Sequence, residues 1–280
     1  MRRFWPLFFL AWPIIAIVWS WLAPHYGWWF HTPAMSPLGQ EIDNLFYLIL
    51  IIVTTTFVGV NLALFYVLWK FSGTTPGEKG TFTHGSHILE MVWTVTPAGV
   101  LLFISLYQMD VWARFRMVQT FDKQALAHPL AEVTARQFEW RIRYPAPGRN
   151  FKNKAEIDEW LKHPSPDDVY TVNDLHCPAN KKVLIHLRTE DVLHSFFIPD
   201  LRVKQDAVPG LVIPVWFEAS RRNQYDLICA ELCGWGHYKM KGRISAESEA
   251  DFAKYLHALA QRQADDGVPA KVETKEGEGH

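Results

Sequence analysis

Residues 229–240 read Cys229-Ala230-Glu231-Leu232-Cys233-Gly234-Trp235-Gly236-His237-Tyr238-Lys239-Met240. Two cysteines, a histidine and a methionine fall in this one short stretch, and another histidine, His194 in VLHSFFIP, stands upstream among apolar residues. Thiolates, imidazoles and a thioether are soft to borderline ligands, a set that suits copper electron transfer. Structural zinc sites use Cys and His, sometimes carboxylate, so the methionine argues against zinc. The thiolates argue against metals that prefer oxygen. A single cysteine would describe a one-copper loop; Cys229 and Cys233 together offer two thiolates that can both bridge a copper pair, leaving each ion one histidine and one weak ligand. A pair of ions spreads one electron over both, so little moves when it comes or goes, which suits a relay and not bond-making. Gly234 and Gly236 let the loop fold tightly. Cys229 and Cys233 alone could equally form a disulfide in an exported domain; His237 and Met240 at fixed short spacing weigh for metal. Cys177 fits no ligand pattern and is expected to be a small buried residue.

Around this loop, from about residue 130, short alternating stretches follow one another: EVTARQFEWRIRY, KKVLIHLRT, LVIPVWFEA and QYDLICA, set apart by Pro, Gly, Asn and Asp. Alternation with frequent turn signals predicts an antiparallel β-sandwich over residues 125–262. Residues 145–168, PAPGRNFKNKAEIDEWLKHPSPDD, are polar and proline-bearing, and predict a surface excursion with a short helical piece. Residues 247–261 have helical spacing, with Phe252, Tyr255, Leu256 and Leu259 on one side and Ser248 with Asp251 as a cap. Residues 263–280 are charged and predict a disordered tail.

The 280 residues are 49% hydrophobic and 20% charged with a net charge of -1, which singles out no partner; none is expected to be a nucleic acid. A mean hydropathy of -0.05 hides a very apolar amino-terminal part. From Leu45 to Trp69 the chain runs LFYLILIIVTTTFVGVNLALFYVLW without a charge, long enough as a helix to cross a ~30 Å hydrocarbon core. A second uncharged run, Met91 to Met109, carries Pro97. The two predict a transmembrane helical hairpin over residues 42–113, since no polar face interrupts either run. A third run within residues 1–24 follows Arg2 and Arg3 and reads either as a signal peptide or as an extra transmembrane helix. Arg2 and Arg3, then Lys70 and Lys79 between the later runs, place those ends inside, so the domain after about residue 113 is expected outside.

The C-A-E-L-C-G-x-G-H-x-x-M pattern, with D-V-L-H-S-F upstream and the hairpin before it, resembles subunit II of cytochrome c oxidases over most of residues 40–245. That resemblance implies an α+β membrane protein whose outer domain is a cupredoxin-like Greek-key sandwich. It implies that His194, Cys229, Cys233, His237 and Met240 bind dinuclear copper (copper-A) through side chains and Glu231 through its backbone carbonyl. It places Asp206 in KQDAVPG and the Glu231 side chain near a magnesium site shared with the catalytic subunit, and gives Glu90 in HILEMVWT a part in admitting protons to that partner. Glu190 and Asp191 match acidic positions that face a basic cytochrome c. Where Phe138 stands in Gln137-Phe138-Glu139-Trp140, the family usually has the tryptophan that takes up electrons; Trp140 and Trp235 are the substitutes at hand.

The implied function is electron transfer from cytochrome c, or another c-type haem donor, through the copper pair to the haem-copper catalytic subunit I, where dioxygen is reduced and protons are pumped, in a bacterial-type inner membrane with the copper domain on the periplasmic face. The chain alone is not expected to reduce oxygen. No C-x-x-C-H occurs, so no covalently held haem is expected on this chain. A quinol oxidase subunit would have lost the cysteines. The copper subunit of a nitric oxide reductase and a membrane-tethered copper carrier are the alternatives.

Overall fold

The computed structural model describes residues 3–26, 28, 32–71, 82 and 84–265. It divides into two units, Met1–Pro33 with Glu41–Val111, and Ala34–Gln40 with Trp112–His280. Three helices supply the first: α1 Phe4–His25, α2 Pro37–Phe71 and α3 His87–Arg116, each long and apolar enough to cross a membrane. The helices α2 and α3 overrun the uncharged runs at both ends. The runs mark what sits in hydrocarbon, whereas the helix continues until its backbone meets a breaker or water. Polar side chains inside the spans bond to their own helix, as a lipid environment demands. Thr55 Oγ1 donates to the Ile51 carbonyl at 2.8 Å, Asn61 Nδ2 to Phe57 at 2.8 Å and Ser105 Oγ to Leu101 at 2.8 Å. No residue of α3 is buried.

The second unit is built on two five-stranded sheets. Strands β1 Ala131–Arg136, β2 Glu139–Tyr144, β3 Val169–Val172, β5 Lys182–Thr189 and β8 Ile213–Glu218 form one, in the order β3-β2-β1-β5-β8. Strands β4 Asp174–Pro178, β6 His194–Ile198, β7 Val203–Ala207, β9 Asn223–Cys229 and β10 Lys241–Glu247 form the other, in the order β4-β10-β9-β6-β7. The chain changes sheet repeatedly, so each sheet gains one parallel pair, β1 with β5 and β10 with β4. The expectation of purely antiparallel sheets is corrected there, because alternation reports which face a residue takes and not the direction of its neighbour. The first change of sheet, from β3 to β4, turns at Asn173 in the left-handed region (φ 59°), where its Oδ1 accepts from Trp140 N at 2.8 Å. Trp140, Tyr144, Phe196, Phe217 and Tyr225 fill the core between the sheets.

The excursion at 145–168 is more than a surface loop. Its helix α5 Lys154–Lys162, capped by Asn153, encloses a small core of Phe151, Ile157, Trp160 and Leu161. Asp168, wholly buried, pins it to β2 by accepting from Arg143 Nη1 (2.7 Å), Trp160 Nε1 (2.8 Å) and Ser165 N (2.9 Å). Arg143 also pairs with Glu132 at 2.6 Å. A short helix α4, Lys123–Ala127, precedes β1, and α6, Glu249–Asp265, follows β10. Ser248 Oγ accepts from Asp251 N at 3.1 Å at the start of α6, and Tyr255 stacks on His176 with ring centroids 3.5 Å apart. The helix runs three residues into the predicted tail because Gln263 bonds the β3 backbone, accepting from Tyr170 N at 3.0 Å and donating to the Asp168 carbonyl at 2.9 Å. The rest of that tail, 266–280, lies outside the described residues.

Candidate metal centre

Strand β9 ends at Cys229 and β10 starts at Lys241, so the quoted stretch is the connection of a hairpin. Cys229 N donates to the Met240 carbonyl at 3.1 Å and closes its base. Strand β6 lies beside β9, with Phe196 opposite Cys229 and the Ser195 carbonyl accepting from Ala230 N at 3.0 Å. That pairing carries His194 across the gap in sequence. Cys229 Sγ lies 3.8 Å from Cys233 Sγ and 3.8 Å from His194 Nδ1; Cys233 Sγ lies 3.6 Å from His237 Nδ1 and 4.0 Å from Met240 Sδ. The Glu231 carbonyl is 3.2 Å from Cys229 Sγ. The sulfurs are not bonded to one another, and both cysteines are free thiols. Among the described residues, the His194, Cys229 and Cys233 ligand atoms form the one group of three or more His, Cys, Asp or Glu side chains close enough to hold a metal, all within 4.8 Å of each other. The structure places the side chains of His194, Cys229, Cys233, His237 and Met240 and the Glu231 carbonyl in this one cluster.

Burial works against ionising either thiol. At Cys229, hydrogen bonds with His194 and with the Ser195 and Glu231 backbone outweigh it and pull the thiol down; at Cys233, burial and the neighbouring Cys229 charge push it up. His194 is raised despite its burial, because Cys229 and Asp191 both favour its charged form.

Two residues that no metal-ligand pattern names complete the frame. Gln137 Nε2 donates to the Cys233 carbonyl at 2.6 Å, tying the β1–β2 turn to the loop. Ser195 Oγ donates to Asp206 at 2.7 Å while its carbonyl holds Ala230, linking Asp206 to the strand that carries His194. Their adjacency to Phe138 and His194 was the available signal.

The remaining predicted residues divide. Asp191 is turned inward: one carboxylate oxygen lies 2.8 Å from His194 Nε2 and 2.6 Å from Val192 N, and the other accepts from Gln137 N at 2.7 Å. The carboxylate is thus engaged by the site itself. Its contact with Nε2 leaves Nδ1 of His194 facing the sulfur. Glu190 pairs with Arg141 at 3.8 Å. Trp140 is fully enclosed, with its ring 6.4 Å from His194, and so cannot meet a donor protein directly. Phe138 packs over the loop; a Cβ on Gly236 would clash with its ring, and one on Gly234, at φ 137°, would lie 3.2 Å from it. Both glycines are therefore needed beneath that ring. Trp235 is 79% exposed and meets Phe138 edge-on at 5.2 Å. With Leu232 and Tyr238 it makes the loop surface apolar and aromatic. Glu90 stands in the first turn of α3, half exposed, 3.5 Å from His87.

A two-sheet sandwich bearing a soft-ligand loop, on a chain with membrane-spanning helices, defines the class of membrane-anchored cupredoxin-like proteins. Comparison with known proteins makes it specific. The family models for cytochrome c oxidase subunit II match at residues 24–111 (transmembrane domain) and 132–247 (periplasmic domain). Cytochrome c oxidase subunit 2 of Cereibacter sphaeroides is 30% identical over 80% of this chain and 78% of its own length. The alternative cytochrome c oxidase subunit 2 of Bradyrhizobium diazoefficiens is 29% identical over 90% of this chain and 91% of its own. The chain belongs to the cytochrome c oxidase subunit II family, and is a membrane protein and a subunit of an oxidase complex.

Proposed function

We propose that this chain takes electrons from cytochrome c, or another c-type haem donor, at a dinuclear copper centre and hands them to the haem-bearing catalytic subunit I, where dioxygen is reduced with proton pumping. The observation that carries the reading is the convergence of two sulfurs, two Nδ1 atoms, a thioether and a carbonyl on one hairpin connection. This donor set fits copper and fits no oxygen-preferring metal. His194, Cys229, Cys233, His237 and Met240 would hold the ions with their side chains and Glu231 with its carbonyl. When bound, the copper pair supplies one-electron exchange with little rearrangement.

The chain's own residues do the rest. Asp191 orients His194, Gln137 ties down the loop at Cys233, and β6 and β9 hold the two halves of the site in register. This built-in rigidity suits a relay and suits a copper carrier poorly, since carriers need exposed, exchangeable ligands. Trp235, presented to solvent with Phe138 behind it, is the proposed place where electrons enter, with Trp140 left to packing. Glu190 remains a donor-facing acid, while docking rests mainly on the apolar loop surface. Asp206 and Glu231 are assigned to the vicinity of a magnesium ion at the catalytic-subunit interface, where carboxylates suit that ion. Glu90 is assigned to proton uptake for the partner. The positive residues around the helices favour a bacterial-type inner membrane with the domain on its periplasmic side.

The direct test loads the full chain with copper in detergent and combines metal analysis with electron paramagnetic resonance. Two coppers per chain sharing one unpaired electron is the expected result. One copper per chain, or none after full reduction of Cys229 and Cys233, would overturn the reading.

A further inference from the structure

On the outer face of the first sheet lies a cleft of about 1160 Å³ that the metal site does not use. It is of the size of the larger small-molecule sites, which run to about 1,000 Å³. Its walls come from separate elements: α4 with Lys123 and Leu126, the 145–168 excursion with Ile157 and Leu161, and β5 with His186. The loop between β7 and β8 closes it with Leu211 and Val212. The excursion that forms one wall is pinned to β2 through Asp168 and Arg143, which holds that wall to the sheet.

Its lining has two chemistries. Ile157, Leu161 and Phe151 give an apolar floor that is already packed, while Leu211 and Val212 leave 54% and 45% of their surface in water. Exposed branched side chains beside a cleft are stabilised by whatever covers them. The rim carries Lys123, Lys152, Lys154 and Lys162, all exposed, against the single carboxylate of Asp158. Arg188 also lines the cleft, with its charge shared with Glu132 at 3.3 Å. Deeper in, burial pushes His186 down to about 4, Asp158 opposing and Lys154 adding to the effect, so the imidazole is neutral at physiological pH. Against the one carboxylate lining the cleft, Asp158, the rim lysines attract an anion.

We propose that this cleft binds a single-chain anionic amphiphile, its head among the rim lysines and its acyl chain along the apolar floor beneath Leu211 and Val212. Charge complementarity and the separation of apolar floor from cationic rim select an amphiphile over a wholly polar anion. A chain tethered to a bilayer meets such molecules constantly. The proposal is independent of copper and of the electron-relay reading.

The test uses the full chain in nanodiscs of neutral lipid, with empty nanodiscs as the blank, and titrates dodecanoate by calorimetry. Expected is saturable binding of one dodecanoate per chain, weakened by high salt, and at least tenfold weaker dodecanol binding. Lys123→Glu with Lys154→Glu should weaken dodecanoate tenfold or more, and Val212→Trp should block it, both with unchanged thermal unfolding. All of these positions are exposed, so folding is expected to survive. Absence of binding above the blank, equal affinity for dodecanol, or full binding in both variants would each overturn the proposal; the first would leave the cleft to an acidic segment of a partner protein.

Discussion

Asp191 and Trp235 carry the most informative substitutions. Asp191 was legible as an acid near His194 but not as its support, because sequence does not tell whether a loop carboxylate points to water or back into the fold; three partners decide it here. Groups that orient a metal-bound histidine are worth about 10–100-fold in affinity, so Asp191→Asn is expected to raise the copper dissociation constant by that order in a chelator competition. An unchanged constant, with altered salt dependence of reduction by cytochrome c, would return Asp191 to a docking role. The candidate ligand cluster was readable because the spacing of Cys229, Cys233, His237 and Met240 in the hairpin loop is a chemical pattern in its own right. Which of Phe138, Trp140 and Trp235 takes up electrons was left open by the sequence, since exposure and ring contacts are tertiary facts. Trp235→Ala is expected to slow reduction of the loaded site by cytochrome c at least tenfold in stopped flow, with copper content unchanged. Trp140→Phe should leave that rate near wild type and lower the unfolding temperature instead.

The strands themselves were legible from their alternation and the turn residues between them, and their parallel pairings were not. Sheet-changing connections such as the one at Asn173 set strand direction, and alternation is blind to it. The excursion was read as surface because its sequence is polar, and most of its polar residues are exposed, but the wholly buried Asp168 anchors it to β2 through Arg143. Arg143→Met removes the partner of a wholly buried Asp168 and of Glu132. Stranding a buried charge costs about 3–5 kcal/mol, so this variant should unfold earlier in denaturant by that order, measured on the full chain in detergent. A loss under 1 kcal/mol would mean the excursion is free of the sheet. On β5, His186 gives a second handle. Its folded value, near 4 through burial, lies below its ordinary 6.5, so the unfolded chain takes up the proton first. Its contribution is present above pH 6.5 and is lost as pH falls towards 4, with a full size of up to roughly 3 kcal/mol. His186→Gln should flatten the stability profile across that window alone, and parallel wild-type and variant profiles would show that His186 is not burdened by burial.

The membrane part and the sandwich pose complementary demands on what surrounds them. Helix α3 buries none of its residues within the chain and α2 almost none, although both are apolar on every side. Their side chains are covered by lipid or by another subunit, and the polar groups inside the spans are satisfied locally by Thr55, Asn61 and Ser105. A helix with no internal packing duty is free to carry an acidic residue near its end, and Glu90 stands half exposed in the first turn of α3. If it admits protons to the catalytic subunit, Glu90→Gln in the assembled oxidase should lower oxygen turnover and proton uptake together, several-fold, while copper content and the rate of reduction by cytochrome c stay at wild-type values. Separating the two measurements matters because electron entry is proposed for the sandwich and proton uptake for the helices. A fall in reduction rate with unchanged proton uptake would place the defect in assembly of the outer domain, and unchanged turnover would remove Glu90 from the proton path.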